Sequence, residues 1–349
     1  MQAIGAVRGT HPGSFAVVMA TGIVSAALRD VNRPHASAAL LVIAAAGFVI
    51  LAASSALRFA AFPADVCRDL TCPARAFTGF AFVAACGVLG DRLAVDGHAA
   101  AASVLAVAAL AAWLALTWLV PGRMAARHRE PPAISDISGN WYLWVVGTQS
   151  LAIVATFVSA GGLIRAQPAT LAALAAWSAG VALYLVITVL VATRLVLAGL
   201  GPQEPTAPYW VAMGAASITV LAAAQILHGP GSPAMRTARP ALAVAAVVFW
   251  VLASVLILPL IARGAWRHLY RREPLRYRAD LWMIVFPVGM YATASMQLGT
   301  AVGLPLIHGV GTAAAWPAAA AWALTFTAMI ASLARMTLRR LGTGQQVIS

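Results

Sequence analysis

The sequence predicts an all-α membrane protein: a single domain over residues 1–349 that crosses the bilayer ten times as five tandem helical hairpins. Three observations lead there. Of 349 residues, 62% are hydrophobic and 9% charged, with a mean hydropathy of +0.86, whereas a water-soluble domain carries about a quarter of its residues charged. The apolar residues fall into ten runs joined by connectors of at most about twenty residues, too short to build a separate core. The charges that remain are distributed unequally between alternate connectors.

The runs are 14–28, 36–57, 76–90, 99–120, 141–160, 169–193, 209–227, 241–262, 281–299 and 313–334. The first and third reach only 15 residues, short of the roughly 20 that span a bilayer. They gain length from the flanks His11 to Ser14 and Pro73 to Arg75. His11-Pro12 ahead of the first run suits a helix start, and the run reads as a retained span rather than a cleaved signal. Cys67, Cys72 and Cys86 lack metal-ligand spacing and read as free thiols. The run 281–299, LWMIVFPVGMYATASMQLG, is uncharged but unlike a plain lipid-facing helix. Pro287 removes a backbone donor, and Gly289, Thr293, Ser295, Gln297 and Gly299 follow. Irregular backbone at membrane depth is tolerated where protein or water covers it, so this run is either a kinked packing helix or the wall of a path.

Odd and even runs differ. The odd runs hold 24 Gly, Ser, Thr, Asn, Gln or Pro in 88 residues, the even runs 17 in 113. Gln149, Gln225 and Gln297, the three glutamines within runs, all lie on odd ones. Odd runs start every 62 to 72 residues, which makes a hairpin repeated five times the economical description. The richer helices are then expected inside and the Ala/Leu/Val-rich ones against lipid, although small residues fit tight packing equally well.

All 23 basic residues are arginines, which excludes lysine Schiff-base chemistry. Seventeen lie on the side that holds the N-terminus, the connectors after even runs and the C-terminus; six lie on the other. The positive-inside rule therefore puts both termini in the cytoplasm. The cluster from Arg263 to Arg278 casts the strongest vote, as a topology anchor attracted to anionic lipid heads or as a collector of anions. Trp118, Trp141, Tyr142, Trp144, Tyr209, Trp210, Trp266 and Trp282 are read as an interfacial belt on that side.

The missing chemistry is informative. The ten acidic residues fall in connectors or at their edges, so no proton relay is visible in the spans. No histidine pair suits a haem, no loop suits a nucleotide phosphate, and no nucleophilic set can be argued from spacing. No enzymatic activity, metal or other cofactor is expected, and no nucleic-acid partner. His228 and His308 read as solvated loop residues beside Gly/Pro turns. What remains is a path walled by neutral groups in a positive field, the net charge being +13. Hydroxyls, amides and exposed backbone N–H groups hold anions rather than cations. Thr21, Gly22, Thr78, Gly79, Gln149, Ser217, Thr219 and Pro287 supply such groups on odd runs, and Phe15 and Phe80 join them as pore-lining candidates. Phe286, at the proline, is either ordinary packing or an apolar plug, since a bulky ring in a narrow path excludes water and blocks ions.

The opening His11-Pro12-Gly13-Ser14-Phe15 with Met19-Ala20-Thr21-Gly22-Ile23-Val24-Ser25 resembles the first helix of the tellurite-resistance/dicarboxylate transporter family. That family includes plant slow-type anion channels, bacterial tellurite-resistance proteins, and fungal malate and sulfite exporters. Asn140-Trp141 through Gln149-Ser150-Leu151-Ala152 is similar to its fifth helix, and Trp282 through Phe286-Pro287 to its ninth. The resemblance spans roughly residues 11 to 335 and implies quasi-fivefold symmetry around a central pore lined by odd helices, a homotrimer, and occlusion by the ninth-helix phenylalanine, here Phe286. It implies transport of small anions across a bacterial inner membrane, by a channel or passive exporter, or by a coupled carrier of C4-dicarboxylate, sulfite or a tellurite-related anion. The termini are shorter than those of the plant channels, which puts kinase-controlled gating in doubt.

Overall fold

A computed structural model describes residues 7–127, 134–199, 201, 204, 206–229, 232–274 and 277–345. Arg129, Glu130 and Arg276, which enter the charge balance, lie outside the described residues. Eleven helices follow one another: α1 Ala16–Asp30, α2 Pro34–Ala61, α3 Pro63–Thr71, α4 Phe80–Val95, α5 Ala99–Arg127, α6 Tyr142–Ala160, α7 Ala166–Ala198, α8 Ala207–His228, α9 Pro233–Ala265, α10 Trp282–Val302 and α11 Pro305–Gln345. No strand occurs among the described residues. All but the short α3 are long and apolar enough to cross a membrane, ten candidate spans among the described residues.

The alternation in composition is an alternation in depth. In α1, α4, α6, α8 and α10, 67 to 83% of the most apolar stretch is buried, against 6 to 22% in α2, α5, α7, α9 and α11. The five inner helices pack in sequence, α1 on α4, α4 on α6, α6 on α8, α8 on α10, and α10 returns to α1. Each outer helix packs on its hairpin partner and on the inner helix that follows. The lipid-facing Val49, Val107, Val189, Leu258 and Leu324 are exposed on the outer ring, as a hydrocarbon solvent allows.

Glycines let the inner helices approach closely. A Cβ on Gly22 would stand 2.9 Å from Val88, one on Gly87 2.9 Å from Ser150, and one on Gly289 2.9 Å from Ile23. A second device repeats about one hairpin apart. Outer tryptophans donate their indole N–H to the next inner helix: Trp113 to Thr148 Oγ1 (3.0 Å), Trp177 to the Thr219 carbonyl (3.0 Å), Trp250 to Ser295 Oγ (2.8 Å) and Trp322 to Thr21 Oγ1 (2.9 Å). In the first hairpin Phe48 takes this place and stacks on Phe82, with ring centroids 5.7 Å apart.

Four inner helices start with a short 3₁₀ turn, over Pro12–Phe15, Ala76–Gly79, Gly139–Trp141 and Ala279–Leu281. At the first, His11 Nδ1 accepts the Gly13 N–H at 3.0 Å and caps the turn. Gly139 is required by its neighbour, since a Cβ there would lie 2.2 Å from the Pro208 carbonyl oxygen at the head of α8.

One expectation needs correction, and one feature was not expected. Helices run about a turn past their apolar runs, and three arginines there turn inward. Arg58 pairs with Asp69 at 2.7 Å, Arg92 with Asp96 at 3.2 Å, and Arg194 with Glu204 at 2.7 Å, all three guanidinium groups being buried. The aromatic belt also dissolves. Trp118 and Trp266 are exposed, but Tyr142, Tyr209 and Trp282 are buried, because they stand on inner helices that lipid does not reach.

Candidate functional site

Ten crossings bring both chain ends to one face. At the opposite face, the C-terminal ends of the inner helices enclose a vestibule of about 670 Å³ to which all five contribute: Asp30 from α1, Asp91 from α4, Thr156 from α6, Gln225 from α8 and Gln297 from α10. Ala99, Ala102 and Ser103 of α5 and His308 of α11 line it as well. Its polar wall is bonded across helices, with Thr156 Oγ1 donating to Gln225 Oε1 (3.1 Å) and Gln225 Nε2 donating to Asp91 Oδ2 (3.2 Å). His228 and His308 line the same space from helical positions, rather than from loops. The carboxylates Asp30 and Asp91, at the connector edges, belong to the ends of α1 and α4 and line this cavity. The cause is again the extra turn of helix beyond each apolar run.

Below the vestibule, helical geometry fixes which side chains share a face: those three, four, seven and eleven residues apart. Gln297 lines the vestibule, so Thr293, Met290 and Phe286 lie beneath it on the same face of α10. Ser295, half a turn away, confirms the direction by accepting Trp250 from the outer ring. Phe286 and Met290 are fully buried. The Phe286 ring reaches α8, where Cε1 lies 3.4 Å from the position a Gly214 Cβ would take, with Pro287 Cγ at 2.9 Å. Thr293 is buried and its Oγ1 has no hydrogen-bond partner. Such a hydroxyl is costly unless something polar visits it.

The other candidates divide. Ser217 shares the α8 face of Gly214, Leu221, Gln225 and His228, and its hydroxyl is bonded within its own helix to the Met213 carbonyl at 2.9 Å. Thr21 bonds Val17 and Trp322, and Gln149 Nε2 donates to the Trp177 carbonyl at 3.2 Å, so both point to the outer ring. Thr219 Oγ1 donates to Ala215 while its carbonyl takes Trp177. Thr78 Oγ1 donates to the Arg75 carbonyl at 2.6 Å, and Gly79 lies against Leu116 of α5. Gly22 faces α4 and Phe80 covers Gly147 of α6. Phe15 is packed edge-on against Phe48 and Phe82. The structure thus packs Phe286 and Pro287 against Gly214 of α8, one turn from Ser217, while the polar groups of Thr21 and Gln149 hold the two rings together.

Sequence reasoning missed the vestibule residues Asp30, Asp91 and Thr156 and the buried Met290 on the α10 face below Gln297. It also missed the four indole pegs, although one tryptophan in the middle of four of the five even runs was a visible signal.

Comparison with known proteins agrees with this architecture. Two strains of Mycobacterium tuberculosis each carry an uncharacterized membrane protein 44% identical to this chain over 166 residues, 48% of this chain and 84% of theirs. The family model described as voltage-dependent anion channel matches residues 9–330. A closed ring of inner helices with a shared vestibule, matched over nearly its whole length, places this chain in the voltage-dependent anion channel family.

Proposed function

We propose that this protein passes small anions along the quasi-fivefold axis of the inner ring, as a channel or passive exporter, with Phe286 as the stopper. The observation that carries the reading is the single file on α10: Gln297 in a water-accessible vestibule, then Thr293, Met290 and Phe286 descending into fully buried space. An anion entering from the vestibule passes the Asp30 and Asp91 carboxyl groups and then meets the Gln297 amide and the unpaired Thr293 hydroxyl before the aromatic ring. Gly214 lets Pro287 pack closely against α8, and Pro287 removes the N–H that would otherwise bond the Met283 carbonyl, so the turn carrying the stopper is held less tightly. In the cell the chain is proposed to sit in the bacterial inner membrane with both termini cytoplasmic, as a homotrimer.

Planar-bilayer recording of wild type and Phe286→Ala in chloride, nitrate, sulfite and malate tests this. The substitution should raise anion conductance by roughly tenfold or more, because a water-filled gap replaces a dewetted plug. Equal background currents from both forms would refute the stopper.

One observation favours a second reading. Asp30 and Asp91 stand in the vestibule, where carboxylates can carry protons alongside a dicarboxylate, sulfite or tellurite-related anion. Under that reading uptake into proteoliposomes requires a pH gradient; under the first it does not.

A further inference from the structure

We propose that the junction between the first two hairpins is a binding site for one anionic phospholipid of the leaflet on the terminus side. Two adjoining features make it. Between α2 and α5 lies a crevice of about 410 Å³, walled by Ala52 and Phe59 of α2, Phe82 of α4, and Ala115, Leu116 and Leu119 of α5. It is deep, apolar and open beside lipid-exposed Phe59 and Leu119. Helix α3 roofs its end at the membrane surface, through Val66 and Leu70. Directly above, a polar basin of about 570 Å³ holds Arg8, Arg58, Arg68 and Arg75 with Asp65 and Asp69. Arg58, Asp69 and Arg75 line both spaces, so the two are continuous.

The charges do not cancel. Asp65 takes Arg8 and Arg68, and Asp69 takes Arg58 and Arg75, so four guanidinium groups face two carboxylates. The Arg75–Asp69 contact is long, at 3.4 Å. Arg68 and Arg75 are more than half exposed, and each commits one nitrogen to a carboxylate, which leaves most of their donors for another acceptor. A basin of excess positive charge continuous with an apolar slot between spans complements one kind of bilayer component: a phosphate head on an acyl chain. A zwitterionic lipid brings its own ammonium and gains less from the arginines. The site lies at the ring's outer edge, so this inference stands apart from the stopper at Phe286.

Native mass spectrometry of the detergent-solubilised full chain tests it with palmitoyl-oleoyl phosphatidylglycerol, the matching phosphatidylcholine, and glycerol phosphate as separate probes. One phosphatidylglycerol should be retained, with at least tenfold preference over phosphatidylcholine. Arg68→Gln/Arg75→Gln should erase the preference. Ala115→Phe, which fills the slot and leaves the arginines in place, should abolish retention of both lipids. Arg68, Arg75 and Ala115 are all exposed or rim positions, and an unchanged melting temperature shows that each variant is folded. Equal retention of the two lipids, retention unmoved by either variant, or displacement of phosphatidylglycerol by equimolar glycerol phosphate would each overturn the proposal.

Discussion

At the scale of single residues, a side chain's role follows from what its polar atoms have already been given. His11 is a case with a pH signature. Its ring caps the first 3₁₀ turn through Nδ1, an acceptor only when the imidazole is neutral. Burial pushes its pKa below the ordinary histidine value, against the pull of Asp69. In the unfolded chain the ring titrates near about 6.5, so just below that pH the unfolded state binds more protons than the folded one. Stability therefore rises with pH through this window; the contribution is complete above the unfolded value and is lost as pH falls through the folded one. Melting curves from pH 5 to 8 should show wild type losing more on acidification than His11→Asn, which keeps a capping acceptor but does not titrate. Parallel curves for the two would remove His11 from the account. Thr293 is the converse case, a buried hydroxyl given to nothing, and it lies on the file that leads to Phe286.

At the scale of helices, the architecture is held by what outer helices lend to inner ones. Trp322 donates to Thr21, whose own hydroxyl still donates to the Val17 carbonyl. Trp322→Phe therefore removes one donor and strands no buried acceptor. The expected cost is about 0.5–1 kcal/mol, read as a lower melting temperature in detergent with helicity unchanged. Arg58 is a different matter. Its guanidinium and the Asp69 carboxylate are both more than nine-tenths buried. Arg58→Met leaves a buried carboxylate with only the long contact to Arg75, at a cost of about 3–5 kcal/mol, and adding Asp69→Leu should restore most of it. An additive double substitution would show that the pair is not coupled. These interactions mark the boundary of what composition reveals. Five hairpins, and which helices lie inside, were legible in the excess of glycine, hydroxyl and amide groups on alternate runs, because only inner helices need close backbone approach. Where each hydroxyl points was not legible. Thr21 and Ser217 look alike in sequence, and only the partner helix separates a peg acceptor from a hydroxyl bonded within its own helix. Aromatic residues at span ends misled for the same reason, since the belt rule presumes lipid contact and Trp282 has none.

At the scale of the whole molecule, the two faces are unlike. One carries the termini, α3 and the arginine basin; the other opens into a vestibule whose acidic residues, Asp30 and Asp91, face inward. Arginine bias is the ground for the proposal that the first face is cytoplasmic, and the native cysteines make that proposal testable. Cys67 and Cys72 are half-buried beside the basin, while Cys86 is buried. A membrane-impermeant thiol reagent should modify Cys67 or Cys72 in inside-out vesicles and leave intact spheroplasts unlabelled. In a background where all three are serine, Thr300→Cys, at the exposed rim of the vestibule, should react in spheroplasts and not in inside-out vesicles. The opposite pattern would invert the topology and put the arginine basin outside. Equal labelling from both sides of the Thr300→Cys variant would mean that reagent crosses the ring without hindrance. A path stopped at Phe286 forbids that, and the pattern ought to appear only when Phe286→Ala is combined with Thr300→Cys. The same two preparations thus report which way the molecule stands and whether its axis is closed.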